Sequence, residues 1–399
     1  MLRFLTAGES HGPGLTAILE GIPAGLALDG EDVDAQLRRR QKGFGSGGRM
    51  RIERDSVRFS GGVLAGETTG APIAMQIENL DWANWRDRDV PPMTIPRPGH
   101  ADLTGAIKYG YRDLRLALER ASARETAARV AVGAVCQRLL AEFGVVVGSY
   151  VVQIGTASVP LSEQLSYIEC FARAETNEVR CPDAAAARAM IACIREAMAA
   201  KDTLGGVFEI VALDVPPGLG SHVHWDRRLD GRLMAAVGSI QAIKGVEVGP
   251  AFQNASRRGT EVHDEIFAQD ARLVRFTNRA GGLEGGITTG QPIVVRAAMK
   301  PISTTLTPLR SVDLVSGEPA ATRYERSDTC AVPRAAVVGE AMVAFVLADA
   351  LLEKLGGDSL AEMRPRFAAL RRGLRAELEM NNETWNLHAT GGAAPDRNP

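Results

Sequence analysis

The 399-residue sequence has no excess of positive charge: lysine and arginine number 46 against 48 aspartates and glutamates, a formal net charge of −2. A protein that binds nucleic acid through charge is usually basic, so this balance argues against that class. No apolar run reaches the ~18 residues of a membrane span. The nearest, 337–352, is interrupted by Glu340 and Asp349. No signal-type apolar core precedes Glu9 and His11, so no secretory signal is expected. Cysteine is sparse. Cys136, Cys170, Cys181, Cys193 and Cys330 are odd in number, scattered, and form no C-x-x-C pair. The expectation is reduced thiols in a cytoplasmic protein. A Walker loop, H-E-x-x-H and G-x-S-x-G are all missing.

What is present is an ordinary globular composition, 45% hydrophobic and 24% charged, with a surplus of glycine at 42 residues. Periodicity and turn residues predict strands at 2–7, 15–20, 50–59, 145–154, 207–215 and 293–299. Helices are expected at 29–40, 125–142, 183–200, 229–243, 335–354 and 360–378. The helix over 125–142 carries the strongest signal, with Ala127, Val130, Ala131, Ala134, Val135 and Leu139 on one face.

The chain echoes itself. Gly61-Gly62-Val63-Leu64-Ala65-Gly66-Glu67-Thr68-Thr69-Gly70-Ala71-Pro72-Ile73 returns, 220 residues later and without a gap, as Gly281-Gly282-Leu283-Glu284-Gly285-Gly286-Ile287-Thr288-Thr289-Gly290-Gln291-Pro292-Ile293. Each copy leads into an apolar strand. Farther on, each half has an Arg/Ser turn before a long apolar helix: Arg120-Ala121-Ser122 and Arg326-Ser327-Asp328. Two copies predict a duplicated unit with one core rather than the two or three domains that length alone allows.

Several turns carry chemistry-bearing side chains. Gly43-Phe44-Gly45-Ser46-Gly47-Gly48 fits G-x-G-x-x-G, but a basic helix precedes it, where a dinucleotide fingerprint needs a strand. Flanked by Arg38, Arg39, Arg40, Lys42, Arg49 and Arg51, it reads equally as a solvated helix end or an anion-binding rim. Pro96-Arg97-Pro98-Gly99-His100-Ala101-Asp102 and Gly8-Glu9-Ser10-His11-Gly12 each set a histidine on a constrained turn. A lone histidine is more often structural than catalytic; two in such settings raise the odds. His222-x-His224 lacks partners at zinc spacing and reads as a polar loop. Ser122 can cap the helix behind it, and Arg120 and Arg124 make the same place an anion site. Lys300-Pro301-Ile302-Ser303-Thr304-Thr305 offers a cation and hydroxyls suited to a phosphate or a heterocycle edge.

At these residues the sequence resembles the chorismate synthase family, from Leu2 to about Glu362. The Gly8–Gly12 and Pro96–Asp102 turns stand in the family's order. So do Arg120-Ala121-Ser122-Ala123-Arg124-Glu125-Thr126, Gln241-Ala242-Ile243-Lys244-Gly245, Gly281–Gly286 and Arg326-Ser327-Asp328. The resemblance implies an α+β fold: a β-α-β sandwich of antiparallel sheets around a helical layer, in two pseudo-repeated halves. It also implies a single domain over 1–380, with a disordered tail over 381–399, assembled as a homotetramer.

The implied activity is that of a lyase: 1,4-elimination of phosphate from 5-enolpyruvylshikimate 3-phosphate to give chorismate, with reduced FMN as cofactor. By the same resemblance His11 protonates the departing phosphate and His100 manages the proton of the reduced flavin. Asp328 assists hydrogen transfer, and Ser10 and Ser122 orient or relay protons. The FMN positions fall on Arg120, Ala121, Ser122, Gln241, Ala242, Gly285, Lys300, Pro301, Ile302, Ser303, Thr304 and Arg326. Substrate anions fall to Arg40, Arg49, Arg97, Arg124 and Arg326. NADPH enters only indirectly, through flavin reduction. No large reductase extension is visible, so a separate flavin reductase or chemical reductant is expected. Neither nucleic acid nor membrane is an expected partner. The competing classes are an NADPH-dependent flavin oxidoreductase and a non-enzymatic anion or nucleic-acid binder using 38–51.

The family usually carries arginine where this chain has Ser46. Lys42 restores charge, but a point charge cannot reproduce a guanidinium fork. Ser46→Arg is therefore expected to lower the Michaelis constant and steepen its dependence on salt, as steady-state assays at several ionic strengths would reveal. Unchanged values would remove the loop from substrate capture.

Overall fold

The computed structural model describes residues 2–45, 54–159, 165–325, 327–382 and 384. Its first half builds an antiparallel sheet from β1 (Arg3–Ala7), β2 (Gly14–Glu20), β3 (Val57–Gly61) and β4 (Ile73–Glu78), in the order β1-β2-β4-β3. The second half builds another from β5 (Val146–Ile154), β6 (Ala157–Ser158), β7 (Gly206–Leu213), β8 (Ile243–Val248) and β9 (Ile293–Met299), in the order β6-β5-β7-β9-β8. Apart from β6 the two orders are the same: β5, β7, β9 and β8 repeat β1, β2, β4 and β3. Between the sheets lie α1 (Gly30–Gln41), α4 (Thr126–Ala141), α6 (Leu229–Gly238) and α7 (Val332–Leu355). Two short helices, α2 (Asp102–Tyr109) and α3 (Arg115–Ala121), and the longer α5 (Ala184–Ala199) complete the elements used below. This is the expected α+β sandwich.

The internal echo is structural. The hairpins Val63–Leu64/Glu67–Thr68 and Leu283–Glu284/Ile287–Thr288 keep the 220-residue offset. Thr68 accepts the Leu26 N–H at 3.0 Å and donates to Pro23 O at 2.6 Å; Thr288 does the same with Leu219 at 2.9 Å and Pro216 at 2.7 Å. Gly62 and Gly282 share the left-handed region, at φ 84° and 83°. Each approaches the next strand so closely that a Cβ would lie 2.6 Å from Ile73 Cα or 2.9 Å from Ile293 Cα. Only glycine meets both demands.

Both central helices are buried on nearly every face, so they show little amphipathic contrast. α7 has the length and apolarity of a membrane span, yet it lies between the sheets with 83% of its most apolar window buried. Its two interrupting acids are paired inside. Asp349 accepts the Leu2 N–H and bonds Arg232, each at 2.6 Å. Glu340 takes Arg39 at 2.6 Å, Arg180 at 3.1 Å and the Ser149 hydroxyl at 2.5 Å. All five cysteines are free thiols.

Boundaries differ from the periodicity in three places. The helix expected over 229–243 ends at Gly238; Ala242 turns left-handed at φ 66°, and the segment after it, with β-branched Ile243, Val246 and Val248, forms β8. The helix expected over 360–378 stops at Ala368, before Gly373 at φ 82°. The strand expected over 50–59 starts at Val57, and 50–53 lie outside the described residues. So does the tail, apart from 381, 382 and 384.

Two outcomes follow from this packing. At Gly133 of α4 a Cβ would sit 2.2 Å from the Ala341 Cβ of α7. Gly133→Ala should therefore destabilise the fold by roughly 1–3 kcal/mol, measurable as a lowered denaturant midpoint. Glu175 bridges Arg39 and Arg180 at the edge of the Glu340 network. Burial raises its carboxyl, but hydrogen bonding from Arg39 and the charges of Arg180 and Arg39 win and hold it at about 2, below the ordinary 4.5. A depressed carboxyl stabilises the folded state above its unfolded value and loses that contribution as pH falls. Stability should decline from about pH 5 towards pH 2. Glu175→Gln should flatten that decline in acid titrations followed by circular dichroism.

Candidate active site

The β1–β2 turn carries the first histidine. At Gly8 (φ 114°) a Cβ would strike Gly14 O at 2.4 Å, so the turn closes tightly. The His11 ring meets Glu119 through Nδ1, 2.8 Å from Oε1, while its main-chain N–H donates to Oε2 at 2.7 Å. Trp85 packs on the imidazole with ring centres 4.1 Å apart. Burial raises the Glu119 carboxyl, but the hydrogen bond and charge of His11 outweigh it and bring it below its usual value. Ser10 is buried and accepts the Ser122 hydroxyl at 3.1 Å. Asn79 donates to the carbonyls of Ser10 and Gly12, which pins the turn. Three expected residues, 10, 11 and 122, thus come together.

Arg120, at the end of α3 beside Ala121, donates to Thr6 O and Thr6 Oγ1, each at 2.8 Å. Thr6 bonds Glu125 at 2.7 Å, and the Gln241 amide donates to Glu125 at 3.2 Å. Gln241 Oε1 is buried without a hydrogen-bond partner. Arg120, Arg129, Glu125 and Gln241 line an open depression of about 330 Å³ with Phe4, Leu5 and Thr6.

Arg40 and Arg124 lie together, both buried, around Asp55. Arg124 Nη1 is 2.7 Å from each Asp55 oxygen, and Arg40 Nη1 is 3.5 Å away. Arg40 also donates to Thr126 Oγ1 and Ala123 O, bracing the turn into α4. The expected Ser122 cap serves this short turn, accepting the Arg124 N–H at 3.3 Å, and α4 begins at Thr126. Arg49, Arg326 and Ser46 lie outside the described residues.

The second histidine belongs to another cluster. Arg97 makes a two-point pair with the buried Asp102, Nε–Oδ2 at 2.8 Å and Nη2–Oδ1 at 2.9 Å, and donates to Thr304 Oγ1 at 3.0 Å. His100 Nδ1 lies 2.5 Å from Asp102 Oδ1. The proline–glycine turn docks on the segment after β9: Lys300 Nζ and Ser303 Oγ both donate to Gly99 O, at 3.0 and 2.7 Å. Ile302 O accepts from Thr203 at 2.7 Å, and Pro301 lies between in the same loop. Burial and the Lys244 charge lower the Lys300 amine below its usual value. The clusters join where the Lys300 N–H donates to Ala242 O at 2.9 Å, next to Gln241.

Asp328 stands at the entry of α7, paired with Arg334; the next residue, Thr329, donates its N–H to Gly45 O at 2.9 Å. Gly285 sits at the turn of its hairpin, where a Cβ would lie 3.8 Å from His222, and the described contacts bring it into neither cluster. His224 bonds Asp226 at 2.7 Å on the surface, and among the described residues no three acidic, histidine or cysteine side chains gather as metal ligands.

Sequence reasoning assigned no role to Asp55, Asp102 or Glu119. Two had a local signal: Asp102 follows His100 by two residues, and Glu119 stands directly before Arg120. Asp55 had none.

The chain matches the sequence model of the chorismate synthase family over residues 2–352. It is 55% identical over 383 residues to the chorismate synthase of Aquifex aeolicus (strain VF5), covering 92% of this chain and 96% of that one. To the chorismate synthase of Rubrobacter xylanophilus (strain DSM 9941 / JCM 11954 / NBRC 16129 / PRD-1) it is 56% identical over 372 residues, covering 91% and 95%. A crystal structure of a chorismate synthase superposes with a TM-score of 0.76 at 49% identity, over 92% of this chain and 96% of that one. With four strands of one sheet repeated in the same order in the other, and with these matches over about nine-tenths of its length, the chain belongs to the chorismate synthase family.

Proposed function

We propose that the chain catalyses the 1,4-elimination of phosphate from 5-enolpyruvylshikimate 3-phosphate, giving chorismate, with reduced FMN bound. The observation that carries this reading is the His11–Glu119–Ser10–Ser122 group in a chain of this family. A histidine braced by a carboxylate, on a turn that also carries one member of a serine hydroxyl pair, is equipped to deliver a proton to a leaving phosphate. In the net reaction a C–O bond to phosphate and a C–H bond break, a new C=C bond forms, and phosphate and a proton leave. No net oxidation occurs. The substrate carries a phosphate and two carboxylates, so Arg97 and the Arg40–Arg124 pair, with Arg49 and Arg326, serve as its fixed counter-charges.

The residues present suit FMN. Arg120, Lys300, Ser303 and Thr304 offer a cationic and hydroxyl-bearing rim. The buried, unbonded Gln241 Oε1 offers an acceptor to a ring N–H. Reduced FMN, when bound, supplies the electron density that lets a non-acidic hydrogen depart. His100 holds the proton at the flavin side, Asp328 assists the hydrogen transfer, and Ala121, Ala242, Pro301, Ile302 and Gly285 shape the cofactor bed. NADPH acts only indirectly, in flavin reduction, and the reduced flavin comes from a separate reductase or a chemical reductant. Residues 1–380 work as one unit, in a cytoplasmic homotetramer.

An anaerobic assay with chemically reduced FMN and the enolpyruvyl substrate should yield chorismate and phosphate in equal amounts. No product overturns the reading. Steady NADPH consumption with oxidised FMN and no substrate would favour a flavin oxidoreductase instead. His11→Ala and His100→Ala should each slow turnover by roughly 10²–10⁴-fold, the range for a lost acid or base. Near-normal rates in both would strip them of that role.

A further inference from the structure

Asp102 is fully buried at the start of α2, and its two oxygens gather groups from one short turn. Oδ2 accepts the Arg97 main-chain N–H at 3.0 Å and Arg97 Nε at 2.8 Å. Oδ1 accepts Arg97 Nη2 at 2.9 Å and lies 2.5 Å from His100 Nδ1. The same ring nitrogen is also 3.0 Å from Arg97 Nη2.

The two contacts at Nδ1 make opposite demands. A guanidinium nitrogen only donates, so it asks for a lone pair on Nδ1; an ionised carboxylate only accepts, so it asks for a proton there. Distance decides between them. A lone pair facing a carboxylate oxygen at 2.5 Å in a buried site would be strongly repelled. Arg97 Nη2 loses nothing if Nδ1 is protonated, because Oδ1 already accepts it. The carboxyl itself stays ionised: burial raises it, but the His100 and Arg97 hydrogen bonds and the Arg97 charge hold it well below the ordinary carboxylate range.

The geometry points to Asp102 as a positioning residue that fixes the His100 proton on Nδ1, so that Nε2 is the nitrogen that exchanges protons during turnover, and that fastens Arg97 to the same turn. His11 is arranged alike, with Nδ1 turned to Glu119. In both turns the carboxylate takes the ring nitrogen nearer the backbone and assigns the chemistry to the outer one. The inference rests on the proposed role of His100 in proton handling, but the tautomer can be read without turnover.

The test uses the full-length protein labelled with ¹⁵N-histidine, with the His100 signals identified by their loss in His100→Gln. Neutral His100 should show a protonated, pyrrole-type Nδ1 and a pyridine-type Nε2. In Asp102→Asn the acceptor-only partner is gone, the Arg97 guanidinium can donate to Nδ1, and the proton should move to Nε2. Turnover should fall roughly 10²-fold with the tautomer, the lower range for a lost acid or base. A residue that only held the turn together would leave the tautomer where it was. A pyridine-type Nδ1 in the unaltered protein overturns the inference. So does an unmoved tautomer in Asp102→Asn, or a moved one with turnover within about threefold of normal. If Asp102→Asn fails to fold, the spectrum of the unaltered protein decides alone. The expected tautomer in a protein that makes no chorismate would sink the reaction assignment and leave the role of Asp102 standing.

Discussion

Two helices touch almost backbone to backbone, and the sandwich depends on it. Where α4 meets α7, Gly133 comes so near Ala341 that no side chain fits between. Close approach lets one helical layer serve both sheets, α4 against β2 and β4, α7 against β5 and β7. The same crowding recurs at Gly339, where a Cβ would lie 2.9 Å from Ile210 and from Phe208. With so little space, small residues matter as much as large ones. The alanines of α4 are packing elements, not filler.

A core of this kind leaves no cheap place for charge, yet α7 carries Glu340 and Asp349 within it. Each is tolerated because partners from other elements converge on it. Arg39 from α1 and Arg180 from a loop converge on Glu340; Arg232 from α6 and the Leu2 N–H converge on Asp349. Breaking one partner would strand a buried charge, which costs more than the pair contributes. These contacts tie both halves of the duplicated fold to one helix. Arg39 also neighbours Arg40, so the network that seats α1 in the core also orients the end of α1 from which Arg40 reaches Asp55.

The chemistry-bearing side chains sit in the connections around this rigid layer: the β1–β2 turn, the entries to α2, α4 and α7, and the segments flanking β8 and β9. Their common device is a carboxylate behind the working group. Glu119 stands behind His11, Asp102 behind His100 and Arg97, Asp55 behind Arg124 and Arg40. A cation in a partly dry setting needs an anion at its back, and such a pair holds the cation at a fixed position.

Periodicity and turn chemistry made much of this legible without coordinates. The duplicated glycine frame forecast a repeated unit, the 3.6-residue pattern located α4, and a long apolar stretch located most of α7. The two histidine turns were visible as constrained loops. The sequence by itself determined which segments form the main helices and strands and which residue types are available for catalysis, because these depend on neighbours a few positions away, and it displayed the duplication directly in its 220-residue echo. Tertiary structure alone decided which groups face each other. Glu119 lies 108 residues from His11, Thr304 lies 207 from Arg97, and Arg39 lies 301 from Glu340. No local pattern encodes such a pair, since the partners meet only when the sandwich closes and removes water from between them.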